Sequence, residues 1–290
     1  MSGVLNLDDW IWAYEEPSGD SDKQWLIDPA TDEEWLFKPL KPQRSRDEAA
    51  SEYAASRIAG LLGVPAAHVE IGQWQGTMGC ISANVVPDPT HALVDGAMFV
   101  SALVGNFDPK DRRSHGHRPE IIAQILEQFG PPAGFAGTAL SAFAGYLVFD
   151  ALIGNTDRHS RNWAVETRLS GTDLLAKSFD HATSLGISMR GPKRDQLLRD
   201  PSLVADFTRK ATAHRFEGGR GTTLVRFAAD FLADHAPETV PAWTERMITL
   251  DVSEVEGVME ASTMSEPGSR LALHVVRANR ERIVECLRTL

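Results

Sequence analysis

Hydrophobic and polar positions follow one pattern in the first third of the chain and another in the remainder. The first third contains short apolar runs bounded by turn residues, which predict strands at 25–27, 34–37, 68–75 and 78–86. One amphipathic helix is predicted between the two strand pairs, over 47–62. From Pro119 onward apolar residues recur at three- and four-residue spacing. This spacing predicts helices at 119–129, 138–153, 202–213, 222–235 and 270–290.

The change from strands to helices predicts an α+β protein with two lobes and a cleft between them. The boundary is expected near Pro87-Asp88-Pro89, where two prolines follow the last predicted strand. We therefore predict a small β-rich N-terminal lobe over 1–87 and a larger helical C-terminal lobe over 88–290.

Composition narrows the class of protein. The 290 residues carry a formal net charge of −11, which opposes broad nucleic-acid binding, because such binding depends on Lys and Arg that neutralise phosphates. Cys80 and Cys286 are too few and too far apart for a disulfide framework. The most apolar stretch, 139–153, is interrupted by Asp150 and is too short to span a bilayer. We expect a soluble cytoplasmic protein with no membrane partner and no direct contact with nucleic acid.

The polar segment 154–163, which follows a predicted helix, carries the candidate chemistry. Asp157 and Asn162 are five residues apart, the offset of the base and the metal-binding Asn in the kinase catalytic loop. A predicted hairpin over 164–179 then returns the chain to Asp180. Phosphoryl transfer needs an acidic group beside the attacking hydroxyl and oxygen ligands for magnesium on the nucleotide phosphates. Asn162 and Asp180 offer such oxygens, which makes them candidate magnesium ligands.

Two linked motifs resemble the signature of the HipA-like serine/threonine kinases of bacteria. They are Asn155-Thr156-Asp157-Arg158-His159-x-x-Asn162 and Phe179-Asp180-His181-Ala182-x-Ser184-Leu185-Gly186. The resemblance implies a two-lobed protein-kinase-like fold and an enzyme that uses ATP and Mg²⁺. It also implies that Asp157 accepts the proton of the acceptor hydroxyl. The residues implied to border the nucleotide are His159, Asn162, Phe179, Asp180 and His181.

The N-terminal lobe holds a second group of candidate residues. Ser18, Gly19 and Lys23 belong to a segment that resembles the phosphate loop of the family. Lys38 closes an apolar strand, and the resemblance implies that it contacts the nucleotide phosphates. Glu52, in the helix that follows, is the candidate to pair with Lys38 and hold it in position for catalysis.

The N-terminal lobe also contains an alternative partner for Lys38 and a candidate hinge strand, and it departs from the longer toxins of the family in two ways. Glu48, in the same helix, is the alternative partner of Lys38. The segment 81–85, with Ser82 and Asn84, resembles the hinge strand between the lobes, where backbone groups would meet adenine. The chain also begins close to the phosphate loop, so we expect a short form without the extra N-terminal subdomain of the longer toxins. Glu16 stands near the place where the family often carries an autophosphorylated serine.

Two basic clusters stand out in an acidic chain and are candidate contacts for an anionic partner. The first lies over 110–118 and the second over 190–199. The second cluster follows Asp180, where kinases place the segment that meets the substrate.

The leading functional prediction is a serine/threonine protein kinase. The family resemblance implies a toxin-like role on a translation-linked protein and an antitoxin-type protein partner. One alternative is a kinase of a small molecule such as an antibiotic or metabolite. Another is a pseudokinase or interaction module that binds nucleotide without turnover. The last is a metal-dependent hydrolase that uses Asp157, His159, Asp180 and His181.

Overall fold

The computed structural model of the chain describes residues 3–16, 22–41 and 47–290. Its N-terminal part is a six-stranded sheet that carries one helix. In chain order the elements are β1 (Leu5–Asn6), β2 (Ile11–Glu15), β3 (Gln24–Ile27), β4 (Glu34–Pro39), α1 (Asp47–Leu61), β5 (Val69–Trp74) and β6 (Thr77–Ala83). The strand order is β1-β5-β6-β4-β3-β2, with β1 parallel to β5 and every other pair antiparallel.

The strands predicted from hydrophobic runs are present as β3 to β6, and the predicted helix is present as α1. Strands β1 and β2 were not predicted. Ile11 and Trp12 of β2 are each 55% exposed, because β2 is an edge strand of the sheet. An edge strand whose large residues remain exposed has no buried face to impose the alternation that identifies a strand.

The remainder of the chain is helical around a small three-stranded sheet of order β7-β8-β9. Its elements are β7 (Ala92–Asp95), α2 (Gly96–Leu103), α3 (Pro119–Leu126), α4 (Ala139–Ile153), β8 (Ala164–Thr167), β9 (Leu174–Leu175), α5 (Pro192–Arg199), α6 (Pro201–Arg209), α7 (Leu224–His235), α8 (Val240–Thr249), α9 (Val252–Ala261) and α10 (Glu266–Leu287). Elements β7, α2, α5, α8 and α9 were not predicted, and β9 was predicted to extend to residue 179. Each of these five elements has ten residues or fewer, so it offers few positions from which a period can be identified.

Helix α4 is the centre of the large core. Every residue from Ser141 to Ile153 is buried, so the helix is apolar around its whole circumference except at a few positions. Thr138 caps its N-terminus through a capping box with Ser141. Gly154 ends it with a φ of 69°, the left-handed conformation that glycine adopts without strain.

Helix α1 packs on both parts of the molecule. Ala49 and Tyr53 pack with residues of the N-terminal sheet, whereas Ile58 belongs to the large core built around α4. The N-terminal end of α1 is also tied to the C-terminal part, because buried Asp47 accepts hydrogen bonds from the amide and hydroxyl of Ser265, each at 2.9 Å. The two parts are therefore connected by packing as well as by the chain.

The six-stranded sheet ends at Ala83, and the next strand, β7, pairs with β8 of the C-terminal part. In the described ranges no helix is both long enough and apolar enough to cross a membrane.

Candidate active site

The loop that carries Asp157 begins where α4 ends. Asn155 is held against the last turn of α4: its backbone amide donates to the Asp150 carbonyl and its side-chain amide to Asp150 Oδ1, at 2.8 and 2.7 Å. Asn155 Oδ1 in turn accepts from the backbone amide of Asp157 at 3.1 Å. These contacts set the direction in which the loop leaves the helix.

Arg158 is the buried anchor of this loop. Its Nε and one terminal nitrogen each donate to a different oxygen of Asp150 at 2.8 Å, a bidentate ion pair. The same guanidinium group donates to the carbonyl of Asn162 and to Ser178 Oγ. Both charged side chains are 2% exposed, so removal of either one would leave an unpaired buried charge. Arg158 thereby joins α4, the loop of Asp157 and the segment that precedes Asp180.

Arg158 was predicted only as part of a motif, and its ion pair with Asp150 was not predicted. A usable signal was present, because Asp150 interrupts the most apolar stretch of the chain. A carboxylate in such a stretch needs a buried cation.

Asp157 and Asn162 are adjacent, as their spacing predicts. The side-chain nitrogen of Asn162 donates to the backbone carbonyl of Asp157 at 2.8 Å, which leaves the amide oxygen of Asn162 for another ligand. The Asp157 carboxylate is 31% exposed, and its Oδ1 accepts from Arg215 Nε at 2.8 Å. Arg215 was missed: it lies in the loop between α6 and α7, far from the motifs along the chain, and no pattern marks it.

The predicted ion pair of Lys38 is present. Its Nζ lies 2.5 Å from Glu52 Oε1 and 3.7 Å from Asp180 Oδ1. Glu48, the alternative partner, lies 3.9 Å from Arg190 instead. Strand β4 and helix α1 thus bring a cation from the N-terminal part against Asp180, which belongs to the C-terminal part.

The charges of this group determine its ionisation. The Lys38 ammonium lowers the pKa of Asp180 to about 2, although burial acts in the opposite direction. Burial alone would lower the pKa of Lys38, but the carboxylates of Glu52 and Asp180 outweigh it and raise that pKa above its usual value. At neutral pH Asp180 is therefore a carboxylate and Lys38 an ammonium ion. Lys23 also lowers the pKa of Asp180, which places its charge near the same site.

The histidines of the two motifs have different surroundings. His159 Nδ1 accepts from the backbone amide of Arg161 at 3.1 Å, and desolvation lowers the pKa of His159. The His181 side chain is buried, with Nε2 2.8 Å from Ser178 Oγ. Burial and the nearby Arg158 hold the pKa of His181 well below its usual value. A nucleotide could therefore contact only the backbone of His181, because the His181 side chain is buried. Phe179 is half-buried, so part of its surface is accessible to a nucleotide.

The remaining residues predicted to contact the nucleotide are Ser18, Gly19, Ser82 and Asn84. Ser18 and Gly19 lie outside the described residues. Ser82 lies within β6, paired with β4 on one side and β5 on the other. The Asn84 amide donates to the Glu34 carbonyl at 2.9 Å, and its side chain donates to Glu34 Oε2 at 3.2 Å. The adenine contact of Ser82 and Asn84 stays a prediction.

The residues present fit a magnesium ion bound together with nucleotide phosphates. Asp180 is ionised and its side chain is 37% exposed, and Asn162 offers an amide oxygen. Mg²⁺ is usually held by one or two protein carboxylates, substrate phosphates and water. Across the part of the chain that the structure describes, no group of three or more His, Cys, Asp or Glu side chains could hold a metal ion by itself.

Comparison with known proteins identifies the family of the chain. The model of the HipA-like C-terminal domain family matches residues 16–243. The chain belongs to this family. No curated protein matches the sequence at a significant level. The predicted resemblance to HipA-like kinases is confirmed.

Solved structures show the same fold. The Helicobacter pylori proinflammatory kinase CtkA superposes with a TM-score of 0.73 at 14% identity, over 99% of this chain and 98% of that chain. HipA of Shewanella oneidensis MR-1, solved with HipB and operator DNA, superposes with a TM-score of 0.58 at 12% identity, over 96% of this chain and 67% of that chain. The HipA-like chain therefore has the predicted α+β, two-lobed kinase-like fold.

Proposed function

We propose that this HipA-like chain is an ATP- and Mg²⁺-dependent phosphotransferase that acts on a serine or threonine of a protein. The observation that carries the proposal is the convergence of Lys38, Glu52 and Asp180 from two parts of the chain. Lys38 lies 2.5 Å from Glu52 and 3.7 Å from Asp180. Kinases require both this lysine–glutamate pair and the metal-binding Asp.

Each residue has a role that its surroundings support. Asp157, partly exposed at the end of α4, would accept the proton of the acceptor hydroxyl. Lys38 would pair with the nucleotide phosphates while Glu52 holds its position. Asp180 and Asn162 would hold Mg²⁺, which when bound neutralises charge on the transferred phosphoryl group. The resemblance to the family favours a protein acceptor, and HipA with its bound HipB makes an antitoxin-type partner part of this proposal.

Asp157→Asn and Asp180→Ala test these roles. We expect Asp157→Asn to lower phosphotransfer at least about 100-fold while ATP affinity changes only a few-fold, because general acid–base catalysis contributes about 10²–10⁴-fold. We expect Asp180→Ala to weaken ATP binding only when Mg²⁺ is present. Asp234→Asn, in an exposed position of α7, is the matched control and should behave as wild type.

The measurement combines equilibrium titration with ATP and labelling of a cell lysate with radioactive ATP. Phosphate on protein in the wild-type reaction supports the protein kinase. Phosphate on a small molecule alone would support a phosphotransferase whose acceptor is a small molecule and not a protein. Near-normal turnover in Asp157→Asn would remove Asp157 from its proposed role. ATP binding without transfer to any fraction would indicate a pseudokinase.

A further inference from the structure

The Asp157 carboxylate has a partner, Arg215, to which the proposed function assigns no role. Arg215 donates from Nε at 2.8 Å, and one of its terminal nitrogens lies 2.7 Å away, both measured to Oδ1 of Asp157. Within the described ranges no hydrogen bond reaches Oδ2 of the same carboxylate. The Asp157 side chain is 31% exposed. The contact with Arg215 thus leaves the second oxygen for an acceptor hydroxyl.

The loop that carries Asp157 fixes the backbone of this residue but not its carboxylate. The backbone amide of Asp157 donates to Asn155 Oδ1 at 3.1 Å, and its carbonyl accepts from the side-chain nitrogen of Asn162 at 2.8 Å. The χ2 torsion of an aspartate restricts the rotation of the carboxylate only weakly. A donor outside the loop is therefore needed to set which oxygen faces the acceptor, and Arg215 supplies that donor.

The backbone of Arg215 is held by contacts that do not involve its side chain. The Arg215 carbonyl lies 2.7 Å from His117 Nδ1. The next residue, Phe216, is 2% exposed, and its ring is stacked on the His117 ring with the two centroids 4.6 Å apart. Phe216 and His117 therefore fix the position from which the guanidinium group reaches Asp157. Removal of the Arg215 side chain should leave this loop in place.

The exposure of the Arg215–Asp157 ion pair indicates that it contributes little to the stability of the fold. Its side chains are 41% and 31% exposed, and ion pairs in contact with water are weak. The pair of Arg158 and Asp150, in contrast, is 2% exposed on both sides. The guanidinium group is planar and its donors point in fixed directions, so its contacts with Oδ1 restrict the orientation of the carboxylate. The Arg215–Asp157 pair is therefore better suited to orienting the proposed base than to supporting the fold.

We propose that Arg215 is a positioning residue for phosphotransfer, which holds the Asp157 carboxylate by Oδ1 so that Oδ2 faces the acceptor hydroxyl. The inference rests on the proposed function, because it takes Asp157 as the proton acceptor. Arg215 acts through Asp157 and not on the nucleotide. Its loss should therefore lower the rate of phosphotransfer at saturating ATP and leave the affinity for ATP unchanged.

The test measures transfer of phosphate from radioactive ATP to the proteins of a cell lysate, together with equilibrium titration with ATP. We expect Arg215→Ala to lower the rate at saturating ATP about 10- to 100-fold, because a small misplacement of a reacting group can cost about 100-fold. Arg215→Lys keeps the cation and should recover part of the rate. Arg226→Ala also removes an exposed arginine–aspartate pair, with Asp230 on α7, and should behave as wild type. The Tm of each variant should stay within about 2 °C of the wild type.

A double-mutant cycle with Asp157→Asn separates a positioning role from an independent one. If Arg215 acts through Asp157, Arg215→Ala should change the residual rate of Asp157→Asn by less than about twofold. An equal loss in both backgrounds, or an unchanged or higher rate in Arg215→Ala alone, would overturn the positioning role while Asp157 remained the proposed base. Near-normal turnover in Asp157→Asn would instead overturn the role of Asp157 in the proposed function, and the inference for Arg215 with it.

Discussion

His117 links two segments of the candidate active site through a single buried ring. Its Nε2 accepts from Trp163 Nε1 at 3.1 Å, and its Nδ1 donates to the carbonyl of Arg215 at 2.7 Å. The ring is 1% exposed, and burial lowers the pKa of His117 to about 4. The neutral form therefore holds Trp163, at the end of the loop of Asp157, to the segment that carries Arg215.

This ring predicts a loss of stability in mild acid. Between the ordinary pKa of 6.5 and about 4, the unfolded chain binds a proton at His117 and the folded chain does not. The free energy of unfolding therefore falls as the pH falls through this window, by about 3 kcal/mol from this residue. His117→Gln keeps a donor and an acceptor but does not titrate.

Urea unfolding at several pH values between 7 and 4 measures the effect. We expect a smaller loss of stability in His117→Gln than in the wild type. A residual slope should persist, because the pKa of buried His181 is lowered in the same direction. Parallel curves for the two proteins would show that His117 does not titrate in this window.

Variants of the Lys38–Glu52 ion pair can distinguish a role in the stability of the fold from a role in phosphotransfer. Glu52 is 1% exposed, so Lys38→Ala leaves a buried carboxylate without its cation and should destabilise the fold by about 3 kcal/mol. Lys38→Met/Glu52→Leu replaces both charges with apolar groups and should recover most of that stability. Phosphotransfer should be lost in Lys38→Ala and should not return in the double variant, because neither variant has a cation at position 38 to contact the nucleotide phosphates.

Thermal unfolding and phosphotransfer assays on the same preparations check this prediction. A double variant that regained activity together with stability would show that the pair serves the fold alone.

At the scale of elements, Gly145 allows the ring of Trp243, a residue of α8, to pack against the backbone of α4. A Cβ at this position would lie 2.3 Å from the ring of Trp243, which is 3% exposed. Alanine gains about 1 kcal/mol of helix propensity over glycine, but overpacking costs about 1–3 kcal/mol. We therefore expect Gly145→Ala to destabilise the protein and to lower its Tm by about 2–4 °C.

Gly257 provides the control, since it lies within α9 and a Cβ there meets nothing within 4 Å. Gly257→Ala should show only the gain in helix propensity of alanine over glycine, which should raise Tm by about 2 °C. Equal increases of Tm in both variants, measured by differential scanning calorimetry, would show that the contact with Trp243 relaxes at no cost.

At the scale of the whole molecule, α1 makes the two parts unfold together. Its residues pack in both the core of the sheet and the large core, and buried Asp47 binds Ser265 and Arg194 of the C-terminal part. We expect a single cooperative transition. Five of the seven tryptophans lie in the first 87 residues, so fluorescence reports mainly the sheet, whereas far-ultraviolet circular dichroism reports mainly the helices.

Urea unfolding followed by both signals tests this expectation. The two midpoints should coincide in the wild type and separate in Asp47→Ala, which removes the tie between α1 and α10. Separate midpoints in the wild type would mean that the two parts are independently stable.

The sequence by itself determined the fold class, the family and most members of the candidate site. Residues such as Asp157 and Asn162 were found because their separation is short and local, and because the catalytic loop directly follows a strongly apolar helix. Glu52 was predicted to pair with Lys38 because it lies in the helix after this lysine, where the lysine–glutamate ion pair of kinases has its glutamate. The magnesium and ATP requirements stay predictions.

Only the tertiary structure decided the contacts between distant segments. Arg215 and Asp157 are 58 residues apart, and nothing in the periodicity of either segment indicates that they meet. An open cleft is likewise formed by two loops from separate parts of the chain, 106–115 and 217–220. Periodicity reports which face of an element is buried, whereas the packing of the whole core sets which exposed loops become neighbours.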